Sequence, residues 1–394
     1  MSLNQKIVQQ IERIKRSAIE ILSEEELYKK LEASLEKSIP LRVKAGFDPT
    51  SKDIHLGHTV LLNKLRTFQD LGHEVYFIVG DFTAKIGDPS GRNNLRPVLT
   101  DSQIEENART YTDQAFKILD KSKTKIIFNS IWYKDMTLAD FLPLLNKYTV
   151  SRILERDDFT KRIKQGIALS LLEVVYPIIQ GYDSVMMKAD IELGGSDQKF
   201  NLIVGRHMQE AFDIPAQVVL TLPLLVGLDG KNKMSKSLDN YIGVSEDPKD
   251  IFGKLMSISD TLMYDYFSLL TDFDLKEVEN MHPKQAKEML AADIISKLYS
   301  KEQAFQEQQR FSQIFSKRDI NEENVPTIEL EIKTTVLDLL VKERVVTSNN
   351  ELRRLIKQGG VSFGNQKIDS ENFLIETSGI LKVGKKKFFN INLK

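Results

Sequence analysis

The sequence predicts an α/β protein built on a parallel sheet, followed by a small α+β module at the C-terminal end. Three observations carry this expectation. A strand-like run at 41–47, a helical pattern from His55 to about Leu71 and an apolar strand-like run at 75–79 follow one another at βαβ spacing, which leads to a parallel pair. A loop rich in Gly, Asp, Thr and Pro occupies 80–91, where ligands gather in such sheets. Charge is distributed unevenly: between Asn349 and Lys394, nine Lys or Arg stand against four acids, although the 394-residue chain has a net charge of −1. A basic terminal module on an acidic body fits a polyanion-binding appendage or, equally, a solvated surface.

Composition narrows the class. Apolar residues make up 41% and charged residues 28%, as in ordinary globular proteins. The length allows two or three domains. No apolar run approaches the roughly 18 residues of a membrane span. The N-terminus lacks the apolar core of an export signal, so a cytoplasmic location is expected. Zero cysteines exclude disulfides, thiolate nucleophiles and Cys-ligated zinc.

Each element follows from its pattern. Residues 4–35 read as helical, with Ile7, Ile11, Ile14, Ile19, Leu22 and Leu27 spaced among charges. The first strand ends at Asp48-Pro49-Thr50, and Gly72 closes the helix that His55 opens. From 102 to about 154 the pattern is mainly helical, interrupted by a strand-like 125–128. One long helix is expected over 167–188 despite Pro177. Gly194-Gly195 starts a further element that continues to Met208, and 217–226 reads as a strand pair or one bent strand. Residues 231–238 are too polar to be core and form a surface loop. Helices are expected from Pro248 to about Lys317, then a linker at 321–326. In the tail, Ser348 and Glu351 form a capping-box pattern, Gly359-Gly360 stops that helix, and 361–363 and 387–393 read as strands.

Three constellations carry chemistry. His55 and His58 lie three apart at the start of a helix and share one face, with Gly57 between them allowing close backbone approach. The helix N-terminus adds partial positive charge, so a phosphate fits there. Lys233-Met-Ser-Lys236-Ser237 sits in a loop with Gly227 and Gly230, able to bring two ammonium groups onto a polyphosphate. Two imidazoles and two ammonium groups on opposite sides stabilise a transferring phosphoryl or adenylyl group by charge and position. Tyr176, Gln180 and Asp183, at i, i+4 and i+7, form a polar stripe on an apolar helix, which reads as a pocket wall for a small polar ligand or as structural hydrogen bonding. Asp88 in the glycine-flanked loop can meet an ammonium or simply start a turn, and Asp197-Gln198 follow a glycine turn in the same manner.

These residues together resemble the bacterial tyrosyl-tRNA synthetases, a class I family, over nearly the full length. The resemblance rests on GFDPT (46–50), HLGH (55–58), GDPSG (87–91), YPIIQGYD (176–183), GGSDQ (194–198) and KMSKS (233–237). The segment 348–361 looks like an RNA-binding module shared with small-subunit ribosomal proteins. The resemblance implies a Rossmann-like catalytic domain over 36–245 with a helical insertion at about 102–165. It also implies an N-terminal helical segment (1–35), a helical domain (246–320) and an RNA-binding domain (328–394). It implies activation of tyrosine by ATP, with accompanying Mg2+ and no metal bound by the protein itself, then transfer to tRNA(Tyr). His55, His58, Thr50, Lys233, Lys236 and Ser237 would act on the phosphates. Asp88, Tyr176 and Gln180 would bind the α-ammonium, Asp183 the phenolic hydroxyl, with Gln198 and Asn129 beside them. Gly46, Asp48, Gly194 and Asp197 would hold ATP with His55, His58 and Lys236. Arg353, Arg354 and Lys357 would meet tRNA. Many family members carry a tyrosine where this chain has Lys44. Lys44 therefore enters phenol recognition by another geometry, through pairing with Asp183 and sharing it with the substrate. A homodimer is implied, with the contact at about 129–155 and the stripe Leu138, Phe141, Leu142, Leu145. Tryptophan-activating relatives share the fold but lack the polar stripe and the basic tail. A dinucleotide-forming nucleotidyltransferase would need neither GGSDQ nor the tail. A synthetase-like scaffold that only binds RNA would have no use for intact HLGH and KMSKS.

Overall fold

The structure is a computed structural model, and it describes residues 2–49, 53–89, 100–316, 325–330, 333–343, 345–346, 348–364, 366–384 and 387–393. The chain forms two compact units, 1–305 and 306–394.

In the first unit the elements run α1 (Leu3–Lys15), β1 (Glu20–Leu22), α2 (Glu24–Lys37), β2 (Arg42–Phe47), α3 (Leu56–Asp70), β3 (Glu74–Val79), α4 (Asp101–Ala115) and β4 (Thr124–Phe128). There follow α5 (Ser130–Tyr133), α6 (Leu138–Leu145), α7 (Val150–Leu154), α8 (Asp157–Lys164), α9 (Leu171–Met187), β5 (Ile191–Gly195), α10 (Lys199–Ala211) and β6 (Val218–Leu222). Helices α11 (Pro248–Ser257), α12 (Asp260–Leu270), α13 (Leu275–Glu279) and α14 (Pro283–Leu298) pack in this same unit, and α15 (Lys301–Ser316) crosses its boundary.

The six strands lie in the order β1-β6-β5-β2-β3-β4. All neighbours are parallel except β1, which pairs antiparallel with β6. The chain moves outward from β2 to β3 and β4, then returns to place β5 on the other side of β2. That reversal opens a crevice at the carboxyl ends of β2 and β5, where ligands bind in sheets of this kind. β3, β5 and β6 are almost wholly buried, which suits a sheet covered by helices on both faces.

The βαβ reading of 41–79 holds, with Gly72 at φ 90° ending α3. The helix expected over 4–35 is split instead. Ser17 takes φ 60° after α1, and Glu20–Leu22 joins the sheet edge. The helix expected from 167 begins at Leu171, where Ser170 caps it and Glu173 returns the capping contact. Gly194-Gly195 does not start an element; it ends β5. The run 217–226 splits after Leu222, and Val226 pairs with Lys233. The span 102–165 is in part framework, because α4 is the crossover that delivers β4 to the sheet. The helices outside the alternation are α5 to α8, bound to α9 and α10 by a core of Leu144, Ile153, Phe159, Ile178, Val204 and Met208.

The second unit carries α16 (Val336–Lys342) and α17 (Asn349–Lys357) with β7 (Thr327–Leu330), β8 (Thr334–Thr335), β9 (Val361–Phe363), β10 (Gln366–Lys367), β11 (Leu374–Ile375), β12 (Gly379–Val383) and β13 (Lys387–Leu393). Five of these strands form one sheet, β10-β9-β12-β13-β7. Ser348 caps α17 by accepting from the Glu351 amide. Leu339, Leu352, Val361, Leu381 and Ile391 build its own core. Most of the expected linker at 321–326 lies outside the described residues.

Candidate active site

The carboxyl ends of four strands deliver the polar residues. β2 runs into Asp48, β3 into Gly80 and Thr83, β4 into Asn129, and β5 into Asp197 and Gln198. Asp48 accepts from Thr83 Oγ1 at 2.7 Å and from Tyr176 Oη at 2.9 Å. Gly80 makes this possible, since a Cβ there would lie 2.1 Å from Asp48 Oδ1. Gln198 Nε2 donates to Asp88 Oδ2 at 2.6 Å, and Gln198 Oε1 accepts from Asn201 at 3.0 Å. Gln180 Oε1 is buried with no hydrogen-bond partner. Along the same helix Asp183 is 4% exposed. It accepts from Trp132 Nε1 at 2.8 Å and Asn129 Nδ2 at 3.2 Å, and Tyr133 Oη lies 3.2 Å away with its one hydrogen drawn also to the nearer Ile179 carbonyl at 2.7 Å. A carboxylate accepts about four hydrogen bonds, so acceptor capacity remains for a ligand donor. Asn129 also accepts from the Phe82 amide, which ties the ends of β3 and β4 together.

The two histidines cap α3 rather than standing free. His55 Nδ1 accepts from the Gly57 amide at 3.1 Å, and His58 Nδ1 accepts from the His55 amide at 3.2 Å. With both Nδ1 atoms accepting, the neutral rings carry their protons on Nε2. Burial lowers His55 to about 2, with His58 and the two loop lysines adding to the effect. Burial lowers His58 to about 4, opposed by its bond to the His55 backbone. Both are therefore neutral donors at pH 7.

The Lys/Ser loop lies against them. A Cβ on Gly57 would sit 3.5 Å from Met234 Cβ. Just beyond the loop, the Leu56 amide donates to the Ile242 carbonyl at 2.9 Å and His55 bridges to Gly243. Lys233 Nζ pairs with Asp197 at 2.8 Å and Lys236 Nζ with Asp53 at 2.8 Å. Ser237 Oγ is 2.8 Å from Ser235 Oγ. Asn240, 3% exposed, holds the loop from below. Its Oδ1 accepts from the Ser235 amide, and its Nδ2 donates to Asp229 and to the Lys233 carbonyl. Gly227 leaves room for it, because a Cβ there would meet Asn240 Nδ2 at 2.2 Å.

Residues 36–316 match the family model described as tRNA synthetases class I (W and Y). The tyrosine–tRNA ligase of Aquifex aeolicus is 50% identical, the alignment covering 97% of this chain and 98% of that one. That of Bdellovibrio bacteriovorus is 49% identical, over 98% and 99%. The chain belongs to the bacterial tyrosine–tRNA ligase family. Among solved structures, the C-terminally truncated mitochondrial tyrosyl-tRNA synthetase of Aspergillus nidulans aligns with a TM-score of 0.65 at 20% identity, covering 78% of this chain and 94% of its own. The tyrosyl-tRNA synthetase of Archaeoglobus fulgidus, complexed with L-tyrosine, gives 0.61 at 24%, over 78% and 100%. Both likenesses concern the fold.

For this tyrosine–tRNA ligase family member, several sequence expectations change in detail. The partner of Lys44 is Glu192, at 2.9 Å, in place of the expected Asp183. The cause is register: Lys44 and Glu192 face each other across β2 and β5. A Cβ on Gly194 would lie 3.1 Å from Gln198 Cβ and from Leu202, so this glycine serves helix packing, while a Cβ on Gly46 would meet nothing within 4 Å. Thr50 lies outside the described residues. Arg353 is paired with Glu371 at 2.5 Å, and Arg354 and Lys357 are exposed on α17. Leu138 and Leu142 are exposed, but Phe141 and Leu145 pack inward. Sequence reasoning missed Thr83, Trp132, Tyr133, Glu192, Asp53 and Asn240, although the single Trp of the chain beside a Tyr after a strand offered a hint. Burial pushes Asp48 up to about 7, opposed first by the Thr83 bond. Burial also pushes Asp183 up to about 6, opposed first by the charge of Lys44.

Proposed function

We propose that the chain activates tyrosine with ATP and transfers it to tRNA(Tyr), using the crevice at the ends of β2 and β5. The observation that carries this is Asp183: a buried carboxylate held by the Trp132 and Asn129 donors, with acceptor capacity left over. A tyrosine phenol uses that capacity, whereas phenylalanine leaves a buried acceptor unmet. At the other end of the stripe, the α-ammonium has three donors. Asp88, the Tyr176 oxygen and the unpartnered Gln180 Oε1 receive them, with Gln198 and Asn129 orienting these groups.

The tyrosine carboxylate attacks the α-phosphorus of ATP, the bond to the β-phosphate oxygen breaks, and pyrophosphate leaves with both electrons. His55 and His58 present Nε2–H donors to the phosphates, and Thr50 joins them. Lys233 and Lys236 leave Asp197 and Asp53 for the departing pyrophosphate, with Ser237 supporting the loop. Asp48, Gly46, Gly194 and Asp197 hold the nucleotide. Mg2+ arrives on the phosphates, as is usual for this small hard cation. Among the described residues no group of three His, Asp or Glu gathers to hold a metal. In the second step a terminal ribose hydroxyl of the tRNA attacks the carbonyl carbon and AMP leaves.

Arg353, Arg354 and Lys357 on α17 contact the tRNA by charge. The enzyme works in the cytoplasm as a homodimer. Support for the dimer is an apolar surface around the helices after β4, where Ile131, Leu138, Leu142 and Val150 are exposed. No helix among the described residues is long and apolar enough to cross a membrane. The deciding experiment is ATP–pyrophosphate exchange with tyrosine, tryptophan and phenylalanine, followed by charging of tRNA(Tyr). Exchange with tyrosine alone is expected. Exchange with tryptophan, or with none of the three, rules the assignment out.

A further inference from the structure

Lys44 and Glu192 form an ion pair in which both side chains are only 2% exposed. It reaches α9 at Ser184, the residue after Asp183. Glu192 Oε2 accepts from Ser184 Oγ at 3.0 Å and from the side-chain amide of Gln217. Gly205 gives the cluster its room, because a Cβ there would lie 2.6 Å from Gln217 Nε2 and 2.9 Å from Ser184 Oγ. Two strands and two helices are thus shaped around two charges. A buried pair adds little stability over apolar residues of the same shape. The neighbour that gains from it is Asp183, adjacent to Ser184 in the chain. The Lys44 charge acts on this carboxyl to favour its ionised form, and does so more strongly than Glu192 acts against it.

We propose that Lys44 and Glu192 are positioning residues for substrate selection: Glu192 fixes the Lys44 ammonium behind Asp183, and that charge keeps Asp183 an acceptor for the para-hydroxyl. The proposal rests on the reading of Asp183 as the phenol site. The groups facing Asp183 are Lys44 from β2, Glu192 from β5, Trp132 and Tyr133 from α5, and Asn129 from the end of β4. Tyr176 lies further along α9, and Asp48 follows β2. Of the opposing charges, Lys44 is the one that maintains ionisation. Without it, the hydroxyl meets a protonated acid that already holds the Trp132 and Asn129 donors and has lost acceptor capacity.

The test uses the full-length protein and the ratio of kcat/KM for tyrosine over phenylalanine in pyrophosphate exchange, measured from pH 5.5 to 8. Asp48, near the shared ammonium end, affects both amino acids alike and drops out of the ratio. K44M/E192Q leaves no unpaired buried charge. We expect its ratio at pH 7 to fall at least about tenfold through the KM for tyrosine. The pH below which the ratio declines should also rise, while the KM for ATP holds. K44R, which retains the charge, keeps the parent's ratio. A folded K44M/E192Q with the parent's ratio and pH dependence overturns the proposal. Should that variant not fold, K44Q against K44R reads the same contrast, and equal ratios in the two overturn it. If instead D183N retains the parent's preference for tyrosine, the phenol reading itself is wrong.

Discussion

At the scale of single residues, the site depends on buried groups whose affinity for protons is shifted from its ordinary value. Asp48 titrates near 7 and Asp183 near 6 because burial disfavours their charge. Tyrosine binding needs Asp183 ionised, so its KM should rise as pH falls through about 6, as steady-state exchange assays can show. D183N removes the charged acceptor. A lost bond to a charged group costs about 1.5–3 kcal/mol, so kcat/KM for tyrosine should fall roughly 10- to 150-fold. His73 shows the opposite sign in stability. It is buried, its Nδ1 accepts from the Leu41 amide and its Nε2 faces Gln10. Burial lowers it to about 4 from an ordinary 6.5. The unfolded chain therefore binds more protons between those values. The contribution of His73 is complete above 6.5 and is lost as pH falls toward 4. In H73Q, the stability difference between pH 7 and 5 in urea unfolding should shrink by about 1–2 kcal/mol.

At the scale of elements, the Lys/Ser loop is held from beneath by one buried amide. N240A removes the acceptor for Ser235 and the donor to Asp229 and the Lys233 carbonyl. Because the loop acts on the departing pyrophosphate, kcat for adenylate formation should fall about 10- to 100-fold, while equilibrium binding of tyrosine changes little. Rapid-quench kinetics beside equilibrium dialysis separates the two. The same scale shows what could be read in advance. α3 and β3 were legible because apolar periodicity and a glycine stop agree with the fold. β1 was not, since three half-buried residues carry no period and only pairing with β6 makes them a strand. β5 was hidden because its last two residues are glycines that read as a turn. His55, His58, Lys233 and Lys236 were legible as spaced motifs. Thr83, Trp132, Tyr133 and Glu192 were not, because they come from three separate parts of the chain: the turn after β3, helix α5 and strand β5. Only tertiary packing brings them to Asp48, Asp183 and Lys44.

For the whole molecule, the two units have separate cores, the second built from residues between Leu330 and Ile391. A chain ending at residue 320 keeps every described residue of the crevice. It should form tyrosyl-adenylate at close to the parent's rate, while charging of tRNA(Tyr) falls at least about tenfold for want of the basic module. Equal loss of both activities would make the second unit a structural support.

The backbone joint between His55 and Gly243 has a consequence for synthesis. The imidazoles leave the ribosome early, but the strand segment that seats them, and the lysines opposite, are translated only well past the midpoint of the chain. A partial product that stops short of Gly243 lacks the contact that seats the two histidines. The phosphate-binding groups of this enzyme therefore come together only after the chain has been made past Gly243.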